Sequence, residues 1–520
     1  MNKQEKTVDS DKMRVFRFHG SKIRGFDHNP QSPFFEGRFG RMFRTLRPAR
    51  FEEADLKALA RAMVAEREDP PTPETEIDGE ENQGIDAGYT YLGQFIDHDL
   101  TFDPASSLQR QNDPEALIDF RTPRFDLDCV YGRGPDDQPY LYEADGLRVL
   151  LGRFLTGNPH DPNTRDLPRN MPASGNPARA LIGDPRNDEN VIVSQLHSVM
   201  LRFHNRIVDI LRDREGRPPA FEEAQQMVRW HYQWVVLHDF LPTIAGQEVI
   251  NQILPHLAKG SSILVDKPDL KFFHWKEAPF IPIEFSAAAY RFGHSMVRPI
   301  YRLNTTLTIR QEIFSSDPNS SLTGFREFPS TWAIDWGLFF QLRDAPTTGS
   351  EHVQKAYKID SSLVNPLGNL PASIGANIPS LAERNLLRGL RMGLPSGQMV
   401  ARHMHMEVIP DEALHVGKAT EEDAPGNPLL TAISPRFRKN APLWYYVLAE
   451  AQQAFDGKDA TPIRLGPVGG RIVAEVFIGL LLGDHHSFLS QDPTWRPIEE
   501  FANQGNFRMA DLILQAMKAT

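Results

Sequence analysis

One short stretch of the sequence gathers an amide, a carboxylate and an imidazole at helical spacing. Between Tyr89 and Phe102, Gln94, Asp97 and His98 stand three and four residues apart, so a helix puts them on one face. Asp99 is then turned away by about 100°. Such a face offers groups that hold a polar ligand and exchange a proton with it. An exposed helix end would carry an Asp-His-Asp triplet equally well, so this segment alone leaves both readings open.

Other candidates lie further along. Thr122, Asp126 and Asp128 offer hard oxygens at alternate positions, and a backbone carbonyl such as that of Arg124 fills a place between them. Calcium takes about six to eight such ligands, although a lone Asp-x-Asp is a weak signal. Arg186 and Glu189 are three apart, just ahead of a strongly periodic helix, as in a pocket wall capped by a helix N-terminus. Asp188 and Glu189 also fit ordinary first-turn acids stabilised by the helix dipole. His403 and His405 are two apart and fall on nearly opposite faces of a helix, which argues against a metal site there. His485 and His486 fit the C-terminal cap of a helix.

Taken in order, these stretches resemble one known family. Gly93-Gln94-Phe95-Ile96-Asp97-His98-Asp99 resembles the distal-helix signature of the animal haem peroxidases, the peroxidase-cyclooxygenase superfamily. The run from Thr122 to Gly132, ending Val130-Tyr131-Gly132, is similar to the family's calcium loop. Gly183-Asp184-Pro185-Arg186-Asn187-Asp188-Glu189 resembles the stretch with the catalytic arginine and an ester-forming carboxylate, and His204-Asn205-Arg206 resembles the family's His-Asn-Arg. Tyr290-Arg291-Phe292-Gly293-His294 resembles the proximal segment, and Asn385 and Arg388 before Gly393-Leu394-Pro395 resemble the region supporting it. The resemblance extends over most of the chain.

It implies a mainly α protein: a single large helical haem-peroxidase domain with long loops and few short strands. It implies haem b with His294 on the iron, where Gly293 lets the backbone pass close to a flat macrocycle. His98 is the implied distal base, Gln94 lines the peroxide and halide pocket, and Arg186 supplies positive charge where the O–O bond polarises. Asp97 and Glu189 are the implied haem ester sites. Asn385 would accept the His294 N–H, and Arg291 and Arg388 would pair with propionates or support the pocket. Asp99, Thr122, Arg124, Asp126 and Asp128 would hold calcium, while His204 is a structural core histidine. Hydrogen peroxide is then reduced through a ferryl state, and phenols, aromatic amines, iodide, bromide or thiocyanate serve as donors.

Two departures stand out. Asn190 replaces the methionine that forms a sulfonium link in one family member, so no sulfonium is expected. Leu390-Arg391-Met392 stands where mammalian members commonly have Arg-Asp-His. Three other readings of these residues compete with this one. A fatty-acid dioxygenase of the same superfamily would need a tyrosine three residues before the proximal histidine, where this chain has Arg291, with Tyr290 four before. A non-catalytic haem or calcium-binding module needs only the axial ligand, not the full set of Gln94, His98, Arg186, His294 and Asn385. A non-haem metalloenzyme built on His403 and His405 lacks a carboxylate partner at motif spacing.

The elements that must position these groups are mostly helical. Apolar periodicity predicts helices over Phe51–Glu66, Val191–Arg212, Phe221–Leu241, Pro379–Gly389, Leu443–Phe455, Gly469–Leu482 and Met509–Met517. Short hairpins are expected around Ile263–Trp275 and a surface loop over Asp69–Asn82, and there is no internal repeat. Residues 1–50 read as an arm packed on a body formed by 51–520. The 520 residues are 40% hydrophobic with net charge -11, enough to bury a large core and unsuited to a nucleic-acid partner. The 41 prolines punctuate ordered segments, and the single Cys129 forms no intrachain disulfide. The first residues lack a signal-peptide apolar core, and no stretch is long enough to span a bilayer, so a cytoplasmic location is expected.

Overall fold

The computed structural model describes residues 37–67, 79–102, 118–308, 310–346, 349–375, 377–455, 462–502 and 505–519. Within them the longer helices are α1 (Glu53–Ala62), α2 (Gly88–Leu100), α3 (Val191–Glu215), α4 (Phe221–Val235), α5 (Leu381–Arg391), α6 (Leu443–Gln452), α7 (Pro467–Gly483) and α8 (Met509–Ala516). The strands are short: β1 (Gly37–Gly40), β2 (Glu81–Asp86), β3 (Ile118–Asp119), β4 (Ile281–Pro282), β5 (Ile300–Tyr301), β6 (Gln311–Glu312) and β7 (Lys355–Tyr357). β1 runs antiparallel to β3 and parallel to β4, while β2 pairs with β7 and β5 with β6. The protein is mainly α with long connections. No described helix is long and apolar enough to cross a membrane.

α3 forms where its apolar periodicity places it. The Asn190 side chain accepts from the Ile192 and Val193 amides at its start, and Gly216, at φ 66°, closes its end in the left-handed region. α4 continues through a π turn, Val236–Phe240, into the short helix Leu241–Ala245 rather than running on as one regular helix. Pro242 has no N–H to continue the regular ladder. The Asp239 carboxylate at this turn accepts from Tyr89 Oη at 2.7 Å and the Met509 amide at 2.8 Å, tying the start of α2 to α8.

α7 lies at the centre of the core, and Glu450 of α6 caps it by accepting from the Val468 and Gly469 amides. The hairpins expected over 263–275 do not form. The amides of Lys271, Phe272 and Phe273 instead donate to the fully buried Glu475 carboxylate, which also takes Arg471 Nε at 2.7 Å. Glu475, in the most apolar helix of the chain, therefore replaces a strand partner.

Of the N-terminal arm only residues 37–50 are described. Arg41 donates to the Met392 and Gly393 carbonyls, and the Met42 and Phe43 amides donate to Glu284. Of the loop expected over Asp69–Asn82, residues 69–78 lie outside the described residues, and Glu81 and Asn82 are buried in β2.

Replacing Glu475 by Ala should cost about 3–5 kcal/mol, because it leaves Arg471 and three amides buried without their acceptor. Denaturant unfolding measures this; a loss below about 1 kcal/mol would contradict the role given to Glu475.

Candidate active site

α2 is buried on nearly every side, and Tyr89, Gly93, Gln94 and Asp97 form the half-buried stripe along one face. The helix begins at Gly88, where a Cβ would lie 2.3 Å from the Phe340 ring, so glycine is required for this close approach. His98, 5% exposed, lies beside the stripe. Its Nδ1 is 2.8 Å from Asn187 Oδ1, and Asn187 Nδ2 is 3.0 Å from His197 Nδ1. The amide oxygen can only accept, so the His98 proton sits on Nδ1 and Nε2 is left with a free lone pair. That Nε2 stands 3.7 Å from Glu189 Oε1. Burial pushes the His197 imidazole down to about 3, keeping it neutral behind the pair.

Arg186 projects from a 3-10 turn, Pro185–Asp188, whose N-cap is Asp184. Its Nη2 donates to the His98 carbonyl at 3.0 Å and to Asp184 at 2.7 Å, and Nε donates to Asp184 at 3.1 Å. Burial alone would raise the Asp184 carboxyl; hydrogen bonds from Arg186 and the charges of Arg186 and Arg121 more than offset this and hold it well below the usual range. Gln94 Nε2 donates to Glu189, and Gln94 Oε1 accepts from Asn190 Nδ2 at 3.1 Å. Asp97 takes the Thr101 hydroxyl at 3.0 Å. Glu189 is 36% exposed at its side chain.

On the other side, His294 ends the 3-10 turn Ala289–His294 and is half-buried. A Cβ at Gly293 would meet nothing within 4 Å, so the space beside that backbone is open. Burial, with Arg291 adding, pushes His294 down to about 3, and it is neutral at any working pH. Tyr290 Oη donates to the Gly93 carbonyl at 3.2 Å and bridges this turn to α2. Asn385 reaches His294 Nδ1 at 2.8 Å, but with its amide nitrogen, the reverse of the expected sense. Arg291 Nη1 can only donate, and it draws the amide oxygen to itself at 3.4 Å. A metal on Nε2 requires the proton on Nδ1 and therefore a half-turn of that amide. Arg388 lies half-buried one turn beyond Asn385 on α5.

Behind α2, Asp99, Asp126 and Asp128 bring ligand atoms within 4.8 Å of one another. Asp99 is fully buried and neither of its oxygens has a hydrogen-bond partner. Burial and then the charges of Asp126 and Asp128 raise its carboxyl well above normal, and burial pushes Asp128 up to about 7. Thr122 Oγ1 donates to Asp126 at 2.8 Å, and Leu127 between the two loop acids takes φ 57°, a left-handed turn that is strained for a branched side chain. The Arg124 side chain is buried, with Nε 3.9 Å from Asp484, and its amide donates to the Thr122 carbonyl at 2.8 Å.

Residues 105–409, more than half of the chain, match the family model for the animal haem peroxidase. The chain belongs to the animal haem peroxidase family. It is 27% identical over 300 residues to thyroid peroxidase of Canis lupus familiaris, covering 54% of this chain and 29% of that protein. Peroxidasin of Drosophila melanogaster is 24% identical over 307 residues, 56% of this chain and 18% of its own. The chain thus spans less than a third of the length of these relatives. Among solved structures, peroxidase A of Dictyostelium discoideum superposes with TM-score 0.60 at 17% identity, covering 95% of both chains. A fatty acid alpha-dioxygenase of Oryza sativa with palmitic acid gives 0.55 at 14%, covering 94% of this chain and 80% of its own. These last two share the fold.

Of the remaining histidines, His204 is buried between Tyr131 Oη at 3.0 Å and the Leu147 carbonyl at 2.9 Å. His403 and His405 are exposed. At the end of α7 it is the Ser487 and Ser490 hydroxyls that donate to the Leu481 carbonyl, not a histidine cap, because the chain turns at Asp484 and brings the serines back over the last turn. Sequence reasoning missed Asn187, His197, Asp184 and Arg121. Asn187 and Asp184 sit inside a motif it quoted; His197 is ten residues beyond Asn187 on α3 and carried no separate signal.

Replacing Asn187 by Ala frees the His98 ring and should slow reaction with peroxide about 10–100-fold while haem content is kept. Stopped-flow absorbance checks this, and an unaltered rate would contradict the orienting role.

Proposed function

We propose that this protein is a haem-dependent peroxidase that reduces hydrogen peroxide and oxidises small phenolic or aromatic-amine donors or (pseudo)halides. The observation that carries the reading is the 2.8 Å contact of His98 Nδ1 with Asn187 Oδ1, which puts the proton on Nδ1 and leaves Nε2 as the acceptor, while Arg186 holds the His98 carbonyl. His294, kept neutral by burial, would be the iron ligand. Asp97 and Glu189 are the half-buried carboxylates of the same space and are the sites for ester links to haem b. Arg291 and Arg388, both half-buried, would be the cations to pair with its propionates.

The bound haem supplies the iron on which the O–O bond is split and the store for two oxidising equivalents. This chain's residues do the rest. His98 Nε2 takes the proton from the near oxygen of peroxide and returns it to the departing oxygen. The Arg186 guanidinium, fixed by Asp184 and the His98 carbonyl, faces the charge that develops on that oxygen. Gln94 adds an amide to the same wall.

Calcium fits the cluster behind α2. Asp99, Asp126 and Asp128 bring oxygens within 4.8 Å of one another with Asp99 fully buried, and Thr122 and the Arg124 carbonyl would supply further oxygens. The dioxygenase reading has less support. Tyr290 is engaged with the Gly93 carbonyl and stacked on Phe285 at 4.7 Å, and Arg291 holds the position three before His294.

The purified protein should show a Soret band that changes on adding stoichiometric peroxide. His98→Ala should keep the band and react about 10²–10⁴-fold more slowly. A protein without haem, a normal rate in that variant, or rapid oxygen uptake with linoleate and no peroxide would overturn the proposal.

A further inference from the structure

The Arg186 segment and the cation loop touch backbone to backbone. The Asp184 amide donates to the Cys129 carbonyl at 2.9 Å, and a Cβ at Gly183 would lie 2.5 Å from the Asp128 carbonyl. Arg121 lies across this seam. Its Nε and Nη2 reach Asp184 Oδ2 at 2.8 Å and 2.7 Å, while Nη1 stands 3.5 Å from Asp128 Oδ2. Phe102 packs beneath both guanidinia, with its ring centre 5.8 Å from Arg121 and 4.5 Å from Arg186. Asp128 therefore divides its carboxylate: Oδ2 faces Arg121, and Oδ1, buried with no protein partner, is left for a cation.

We infer that Arg121 is a positioning residue that couples occupancy of the Asp99, Asp126 and Asp128 cluster to the distal Arg186, through the alternating series cation, Asp128, Arg121, Asp184, Arg186. The inference rests on reading that cluster as a calcium site and Arg186 as the cation of the peroxide pocket.

The charges set the direction of the coupling. A divalent cation among three carboxylates leaves one negative charge, which Arg121 offsets. With the cation bound, Asp128 is largely neutralised and Arg121 rests on Asp184. Asp184 then shares its charge between two guanidinia, and Arg186 presents more of its own to the pocket. Without the cation, Asp128 draws Arg121 away, and Asp184 closes on Arg186 alone. Asp184 is fully buried, so solvent screens its charge only weakly. By linkage, an anionic ligand in the distal pocket must strengthen cation binding in return.

The test uses the haem- and calcium-loaded protein with two readouts: calcium affinity by competition with a chromophoric chelator, and the stopped-flow Soret rate with hydrogen peroxide. Arg121→Gln removes a positive charge beside a calcium ligand, so calcium should bind about tenfold more tightly while the peroxide rate falls about tenfold. General damage to the loop would weaken calcium binding instead. Arg121→Lys keeps the charge but not the fork that bridges two carboxylates, so calcium affinity should stay near wild type with the peroxide rate still lowered. If Arg121→Gln does not fold, Arg121→Lys decides the matter. Unchanged or weaker calcium binding in Arg121→Gln, or a wild-type peroxide rate in either variant, would overturn the inference. A wild-type protein that binds no calcium or does not react with peroxide would instead overturn the reading beneath it.

Discussion

Three carboxylates held within 4.8 Å of one another behind α2 are the constraint on which the rest of the site depends. Buried like charges at that distance repel strongly in a low-dielectric interior. Burial and the charges of Asp126 and Asp128 together raise the Asp99 carboxyl. A cation is the simple solution, and its consequence is positional. Asp99 follows His98 directly, so any ion that joins Asp99 to Asp126 and Asp128 fixes the rotation and depth of the helix carrying the distal base.

The same economy appears around the imidazoles. His98 and His294 take their tautomers from their neighbours: Asn187 Oδ1 accepts from Nδ1 of His98, and the Asn385 amide nitrogen, its oxygen drawn to Arg291, donates to Nδ1 of His294. Tyr290 connects the two sides through the Gly93 carbonyl, so the proximal turn and the distal helix move together. The Tyr89–Asp239 bond at the π turn anchors the start of that helix to the body.

Much of this was legible in the sequence because it is local. The helices α3, α6, α7 and α8 follow apolar periodicity closely, and the Gln94, Asp97 and His98 face follows from helical spacing. What was hidden depends on contacts between distant segments. Glu475 satisfies amides some two hundred residues away, which no strand pattern over 263–275 could reveal. Arg121 and Asp184 read as ordinary loop charges until the fold places them between the cation cluster and Arg186. The sense of the Asn385 amide is set by a competition between Arg291 and His294, and sequence cannot rank the two.

The proposal that a cation behind α2 holds the helix of His98 in place rests on the Asp99, Asp126 and Asp128 cluster. Its most direct measurement is the stopped-flow rate of the Soret change with peroxide before and after calcium removal by a chelator, with the absorption spectrum of the resting protein recorded alongside. The account predicts a rate that falls at least about tenfold and recovers on adding calcium, while the resting spectrum keeps its histidine-ligated form. An unchanged rate in protein proven free of calcium would contradict it.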